Sequence, residues 1–161
     1  MLTLVLMRHA KSDWDDPALS DHDRPLNRRG RKSADALGAW MAQSHLTPDQ
    51  ALVSSARRTQ ETFERLALST PQQPLRALYH AGATTMRDTL RTATGRAVLM
   101  VGHNPGIADF AETLLGQPPE HPRFWDYPTG ATLMAQFDIT EWRALTWGSG
   151  RAVRFVVPRE L

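Results

Sequence analysis

A chain of 161 residues with 41% hydrophobic and 22% charged side chains has the balance of an ordinary globular protein and can bury roughly two-thirds of its unfolded surface. It has no cysteine, which excludes disulfides, thiolate catalysis and Cys-ligated zinc, and its formal net charge of +2 is too small to argue for nucleic acid. No apolar run approaches the ~20 residues of a bilayer span. The first such run is too short for a signal-peptide core and has no basic segment before it. A single domain over 1–161, cytoplasmic and without membrane association, is expected.

Leu2 to Met7 is apolar at nearly every position, the pattern of a strand buried on both faces in the middle of a parallel sheet. Arg8-His9 stand where this run stops, and in open α/β sheets ligands bind just beyond the carboxyl ends of the strands. Trp14 to Arg24 is rich in Asp and turn residues and reads as a loop, with Pro25 holding Arg24 extended. Asn27 is a good N-cap for a helix through about Gln43, apolar along Ala34, Leu37 and Met41 with Trp40 beside them. Gly30 weakens its first turn, and a close backbone approach is one reason to keep it.

Ala51-Leu52-Val53 is a short second strand, followed by Ser54-Ser55 as caps and a helix carrying Thr59, Thr62, Phe63 and Leu66. Arg57 and Arg58 sit in the first turn of that helix, where each opposes the helix dipole at a cost of about 0.3–1 kcal/mol unless an anion is present. Leu75 to Tyr79 is a possible strand and Thr84 to Thr94 a short helix. Ala97 to Val101 is a second fully apolar strand, broken by Gly102-His103-Asn104-Pro105-Gly106. Asn104 is expected to cap the next helix and Pro105 to take its first position. Ile107, Phe110, Ala111 and Leu114 form its apolar stripe and Gly116 ends it. Gln117 to Thr129 holds four prolines and reads as a surface loop. Thr132 to Ile139 and Ala152 to Val157 alternate as strands, with Gly148-Ser149-Gly150 a turn. The order of elements predicts a three-layer α/β/α sandwich around a mostly parallel sheet of about six strands.

Three strands thus end in polar signals: Arg8-His9, Ser54-Ser55 leading to Arg58, and Gly102-His103. In a parallel sheet these ends share one edge. Histidines and arginines without a convergent carboxylate pair suit an anionic phosphoryl centre and not a glycosidic one. The clustering of Arg24, Arg28, Arg29, Arg31, Arg57 and Arg58 also favours an anionic ligand. No local metal-binding motif is present, and neither a metal nor another cofactor is expected. His22, His45, His80 and His121 read as surface residues, His80 being the strongest exception. Trp14 and Trp125 read as packing residues before pocket-rim ones.

The segment Leu6-Met7-Arg8-His9-Ala10-Lys11-Ser12 resembles the Arg-His-Gly/Ala signature of the histidine phosphatase superfamily, whose fold is that of phosphoglycerate mutase. The resemblance continues in Arg24-Pro25-Leu26 with Arg29-Gly30, in Ser54-Ser55-Ala56-Arg57-Arg58-Thr59-Gln60-Glu61-Thr62, and in Val101-Gly102-His103-Asn104-Pro105. Size and loops make the chain most similar to the SixA-type phosphohistidine phosphatases. The resemblance implies that His9 is the nucleophile and becomes phosphorylated. Arg8 and Arg58 then clamp the phosphoryl oxygens, with Arg57 a flanking cation, His103 the second pocket histidine and Arg24 a substrate contact. His9 must be neutral to attack, which flanking arginines favour, and His103 is expected to act best when protonated.

Many members of the superfamily carry a glutamate after the third strand that protonates the leaving oxygen. Between Glu64 and Glu112 this chain has no glutamate; the carboxylates there are Asp88 and, on the helix after His103, Asp109, and Asp88 is the candidate acid. A phosphohistidine imidazole leaves more readily than an alkoxide, so the gap favours a protein phosphohistidine substrate. Two alternatives stand beside it: a phosphatase of small phosphorylated molecules using Asp88 as its acid, and a non-catalytic module that binds a phosphorylated ligand.

Overall fold

A computed structural model describes residues 1–161. Its centre is one seven-stranded sheet. β1 (Leu2–Arg8), β2 (Gln50–Ser54), β3 (Gln72–Leu75), β4 (Ala97–Gly102), β5 (Leu115–Gln117), β6 (Thr132–Phe137) and β7 (Gly150–Val156) lie in the order β3-β2-β4-β1-β6-β7-β5. β3, β2, β4 and β1 are mutually parallel, β6 runs antiparallel to β1 and to β7, and β5 is parallel to β7. The helices are α1 (Arg28–Gln43), α2 (Arg57–Arg65), α3 (Ala83–Arg91) and α4 (Gly106–Leu114).

The three layers follow from the two-residue period of β1. Leu2, Leu4 and Leu6 belong to a cluster with Met86, Leu90, Ile107 and Phe110 of α3 and α4. Val5 and Met7 belong to another with Leu37 and Met41 of α1 and Phe63 of α2. β1 is therefore apolar on both faces because a helical layer covers each. No helix is long and apolar enough to cross a membrane.

Several expected boundaries are corrected. The sheet has seven strands, not six. The additional one, β5, is a three-residue edge strand, too short to show a period. The strand expected over Leu75–Tyr79 lies earlier, at Gln72–Leu75, and a 3-10 turn over Arg76–Leu78 follows it. Pro74 is tolerated in β3 because that strand is at the sheet edge. α2 has no side-chain cap: its N-cap is Ala56, not a serine. Asn104 does not cap α4 either; Pro105 holds the cap position, and the Asn104 amide donates to the Asp126 and Tyr127 carbonyls at 2.9 and 3.1 Å. That amide fastens the proline-rich loop beside the end of β4. Gly30 stands where the close approach was expected, since a Cβ there would lie 2.0 Å from the Lys11 carbonyl oxygen.

Candidate active site

The carboxyl ends of β1, β2 and β4 meet in register, Arg8 opposite Gly102 and Val53 opposite Val101. The backbone N–H of His9 still donates to the Gly102 carbonyl at 3.1 Å, so the nucleophile candidate leaves β1 on a fixed course. The N–H of Ala10 donates to Thr62 Oγ1 at 3.0 Å, and the Thr62 hydroxyl donates to the Arg58 carbonyl at 2.7 Å. The first turns of α2 are thereby tied to the segment that carries His9.

These contacts border a cavity of about 300 Å³ lined by Arg8, His9, Arg24, Arg58, His80 and His103, together with Lys11, Trp14 and Thr129. His9 is buried and its Nδ1 lies 2.7 Å from the Ala10 carbonyl oxygen. A carbonyl oxygen only accepts, so Nδ1 carries the hydrogen and Nε2 keeps its lone pair. Burial, with the charges of Arg58, Arg8 and Arg24 adding to it against the Ala10 bond, pushes the His9 imidazole down to about 3. His9 is neutral at neutral pH, the form that can attack.

His103 lies 5.3 Å from His9, ring centre to ring centre. Burial and the neighbouring His9, Arg58 and His80 push it down to about 2. Like His9, this imidazole is neutral at neutral pH. Its Nε2 is 2.7 Å from Ser54 Oγ, which also accepts the Ala56 N–H at 3.4 Å. The Ser54 hydroxyl can donate to Nε2, and in that tautomer the His103 hydrogen sits on Nδ1. That Nδ1 is buried and has no partner in the protein. It can donate to a bound oxyanion without carrying a charge.

The arginines divide by side chain. Arg58 is buried, with Nη1 donating to the Asp21 carbonyl at 2.8 Å and Nη2 3.2 Å from Asp21 Oδ2. Arg57, its neighbour, turns outward to Glu64 at 3.2 Å. Arg8 donates to the Tyr127 carbonyl at 3.1 Å, and the Nε atoms of Arg8 and Arg58 are buried without a partner. Arg24 is buried under the loop that it closes. It donates to Ser12 Oγ at 2.8 Å and to Asp21 Oδ1 at 3.1 Å, and its guanidinium lies 3.5 Å over the Trp14 ring. Trp14 is thus part of the cavity, whereas Trp125 is exposed away from it.

Two residues of the site escaped the sequence reading in whole or in part. Asp21, on a 3-10 turn over Asp21–Asp23, accepts from Arg24, Arg58 and the Tyr79 hydroxyl and lies 3.3 Å from His80 Nε2. Partial burial works to raise its carboxyl, but the Tyr79 bond and the two guanidiniums outweigh it and hold Asp21 well below the usual carboxylate range. His80 lines the cavity itself. Asp88, in contrast, is exposed on α3 and paired with Arg87 at 3.1 Å, and it does not line the cavity. Among the other histidines, His22 bonds Ser55 Oγ at 2.9 Å and His121 pairs with Glu160 at 2.7 Å. No three His, Cys, Asp or Glu side chains are grouped so as to hold a metal ion.

The model of the histidine phosphatase superfamily (branch 1) matches residues 4–79, a span that includes Arg8, His9, Arg24 and Arg58. The uncharacterized protein Rv1276c of Mycobacterium tuberculosis is 33% identical over 110 residues, 67% of this chain and 69% of that protein. Among solved structures, a SixA protein from Nakamurella multipartitia superposes with a TM-score of 0.85 at 26% identity, covering 98% of this chain and 96% of that one. A SixA protein from Agrobacterium tumefaciens gives a TM-score of 0.82 at 25% identity over 98% of both chains. With the Arg-His strand end, the helix-borne Arg58 and the buried second histidine facing one cavity, these matches agree on one family: the chain belongs to the histidine phosphatase superfamily and is SixA-like within it.

Proposed function

We propose that residues 1–161 form one catalytic domain that removes the phosphoryl group from protein phosphohistidine through a phosphohistidine formed on His9, without a metal, in the cytoplasm. The observation that carries the reading is the state of His9. Its Nδ1–H is committed to the Ala10 carbonyl, so the lone pair of Nε2 is available to a phosphorus atom held in the cavity. The Nε2–P bond forms as the bond from phosphorus to the substrate breaks. Arg8 and Arg58 hold the equatorial oxygens, and the His103 Nδ1–H donates to one of them. Fixed donors of this kind, each aimed where charge gathers in the transition state, are worth about 10²–10³ in rate apiece. Three nitrogens left without partners, Nε of Arg8, Nε of Arg58 and Nδ1 of His103, support an oxyanion as the missing acceptor.

Water then attacks phosphorus, the P–Nε2 bond breaks and inorganic phosphate leaves. Arg24 spends its donors on Ser12, Asp13 and Asp21, so its contribution is to hold the loop that carries Asp21 over the cavity. The choice of phosphohistidine over an ester is supported by the cavity's lack of a neutral carboxylic acid, since Asp21 is ionised and Asp88 is elsewhere.

The test compares wild type and His9→Ala on a phosphohistidine peptide, p-nitrophenyl phosphate and a sugar phosphate, with acid-quenched detection of phosphorylated protein. Preference for the phosphohistidine, with label on His9 and no turnover in the variant, is expected. Equal or faster hydrolysis of the sugar phosphate would replace the substrate class by small phosphorylated molecules. Phosphate binding without turnover of any substrate would make the protein a binding module.

A further inference from the structure

We propose that His80 is the proton carrier of this site: it gives a proton to the departing group as His9 is phosphorylated and takes one from water as the phosphohistidine is hydrolysed. The proposal rests on the phosphohistidine reading above and fills a place that this reading leaves open. When Nε2 of His9 bonds to phosphorus, the electron pair of the breaking bond stays on the departing atom. An ester oxygen then needs a proton, and a phosphohistidine needs one on the ring nitrogen away from phosphorus to leave as neutral imidazole. His9 cannot supply it, because its one hydrogen is held by the Ala10 carbonyl. Asp21 is ionised and has none to give. Guanidiniums keep theirs.

His103 directs its hydrogen at a phosphoryl oxygen in the reading above, so His80 is the remaining histidine of the cavity. Its ring lies flat on Tyr79 at 4.0 Å and perpendicular to His103 at 5.9 Å. Its Nε2 is 3.3 Å from Asp21 Oδ2, and the side chain is 60% exposed, open to exchange with water. Nδ1 is the nitrogen left to meet the departing group. The charged groups that face it are Asp21 and, through Asp21 and Tyr79, Arg58. The Asp21 carboxylate beside Nε2 orients the ring, which makes Asp21 a positioning residue.

The backbone holds His80 in this place at a cost. Its φ is +55°, left-handed space that a non-glycine residue enters only under strain. The following residue locks that geometry from both sides. The Ala81 N–H donates to the Leu78 carbonyl at 3.4 Å. The Ala81 carbonyl oxygen sits so close to α4 that a Cβ on Gly106 would come within 1.8 Å of it. A strained residue fixed against the helix that follows His103 is a residue aimed at the cavity.

In the second step a water proton passes to His80 as the oxygen bonds to phosphorus, and the electron pair of the P–Nε2 bond returns to His9. Each turnover thus leaves both histidines as they began.

The experiment measures kcat/KM on phenyl phosphate, whose leaving group needs a proton, and on 2,4-dinitrophenyl phosphate, whose leaving group does not. His80→Asn is the first variant, because Asn tolerates left-handed backbone. It is expected to lose on the order of 100-fold on phenyl phosphate and at least ten times less on the dinitrophenyl ester. Asp21→Asn is expected to show a smaller loss with the same dependence on leaving group. In His80→Gly, which keeps the backbone without strain, added imidazole is expected to restore phenyl phosphate hydrolysis. Equal loss on both esters, no loss on phenyl phosphate, or no rescue by imidazole would overturn the role. Label on His9 separates the two readings. A wild type that forms no phosphohistidine sinks both, whereas a His80→Asn protein that labels at His9 yet shows no leaving-group dependence sinks only the carrier.

Discussion

A neutral histidine buried among arginines must weaken the folded state in acid, and His9 allows the effect to be sized. Its imidazole is held near 3 in the fold against an ordinary value of 6.5. Between those limits the unfolded chain binds a proton that the folded chain refuses, so stability is complete above pH 6.5 and declines as pH falls towards 3. The slope is about 1.4 kcal/mol per pH unit, so moving from pH 7.5 to pH 5 removes about 2 kcal/mol through His9 alone. That is a large share of a typical stability of about 5–15 kcal/mol. Urea unfolding of wild type and His9→Gln, followed at half-unit steps across this range, isolates the term. The glutamine carries its own cost, but one that does not change with pH. The two curves of stability against pH are expected to converge by about 2 kcal/mol on going from pH 7.5 to pH 5. Parallel curves would refute the buried, cation-flanked state assigned to His9.

Four further outcomes follow from the geometry. Gly30→Ala places a methyl 2.0 Å from the Lys11 carbonyl oxygen and should cost about 1–3 kcal/mol in thermal unfolding, through forced separation of α1 from the His9 loop. Arg58→Lys should lower kcat/KM by about 10²-fold or more, since an ammonium cannot make the two-pronged contact. Arg57→Ala, which removes only an exposed pair with Glu64, should change stability by about 0.5 kcal/mol or less. Asp21→Asn should bind inorganic phosphate roughly two- to fivefold more tightly by calorimetry, because one partly exposed negative charge beside the arginines is gone.

The fold was legible where both faces of an element are covered. Leu2 to Met7 and Ala97 to Val101 read as buried strands because a helical layer on each side leaves Thr3 as their one polar position. Elements set by their surroundings were not. β5 is defined by its neighbour β7, and the turn over Arg76–Leu78 replaces a strand that the apolar residues alone suggest. At the site, Arg8, His9 and His103 stood out because each follows directly on an apolar run. Arg58 and Arg57 could not be separated by pattern with certainty; the direction of each side chain separates them, one under Asp21 and one towards Glu64. Asp21 gave no signal, because its place depends on a loop that folds back through the pairing of Ser12 with Leu26 and the bond from the Leu26 N–H to Glu61. His80 owes its position to a positive φ, which no periodicity encodes.

The place of β1 in the sheet bears on how the molecule comes into being. Arg8, His9, Arg24, Arg58, His80 and His103 all precede residue 105, yet β1 is completed on one side by β4, which begins at Ala97, and on the other by β6, which begins at Thr132. The Gly130 N–H, arriving with β6, donates to the carbonyls of Arg8 and His9 at 3.1 and 3.0 Å. A ribosome-bound or truncated chain that stops short of β6 therefore possesses the reactive side chains without the frame that aligns them. Pairings at such sequence separations are also the slow ones to form, so catalytic competence arrives late in synthesis, as one event, after most of the chain has left the ribosome.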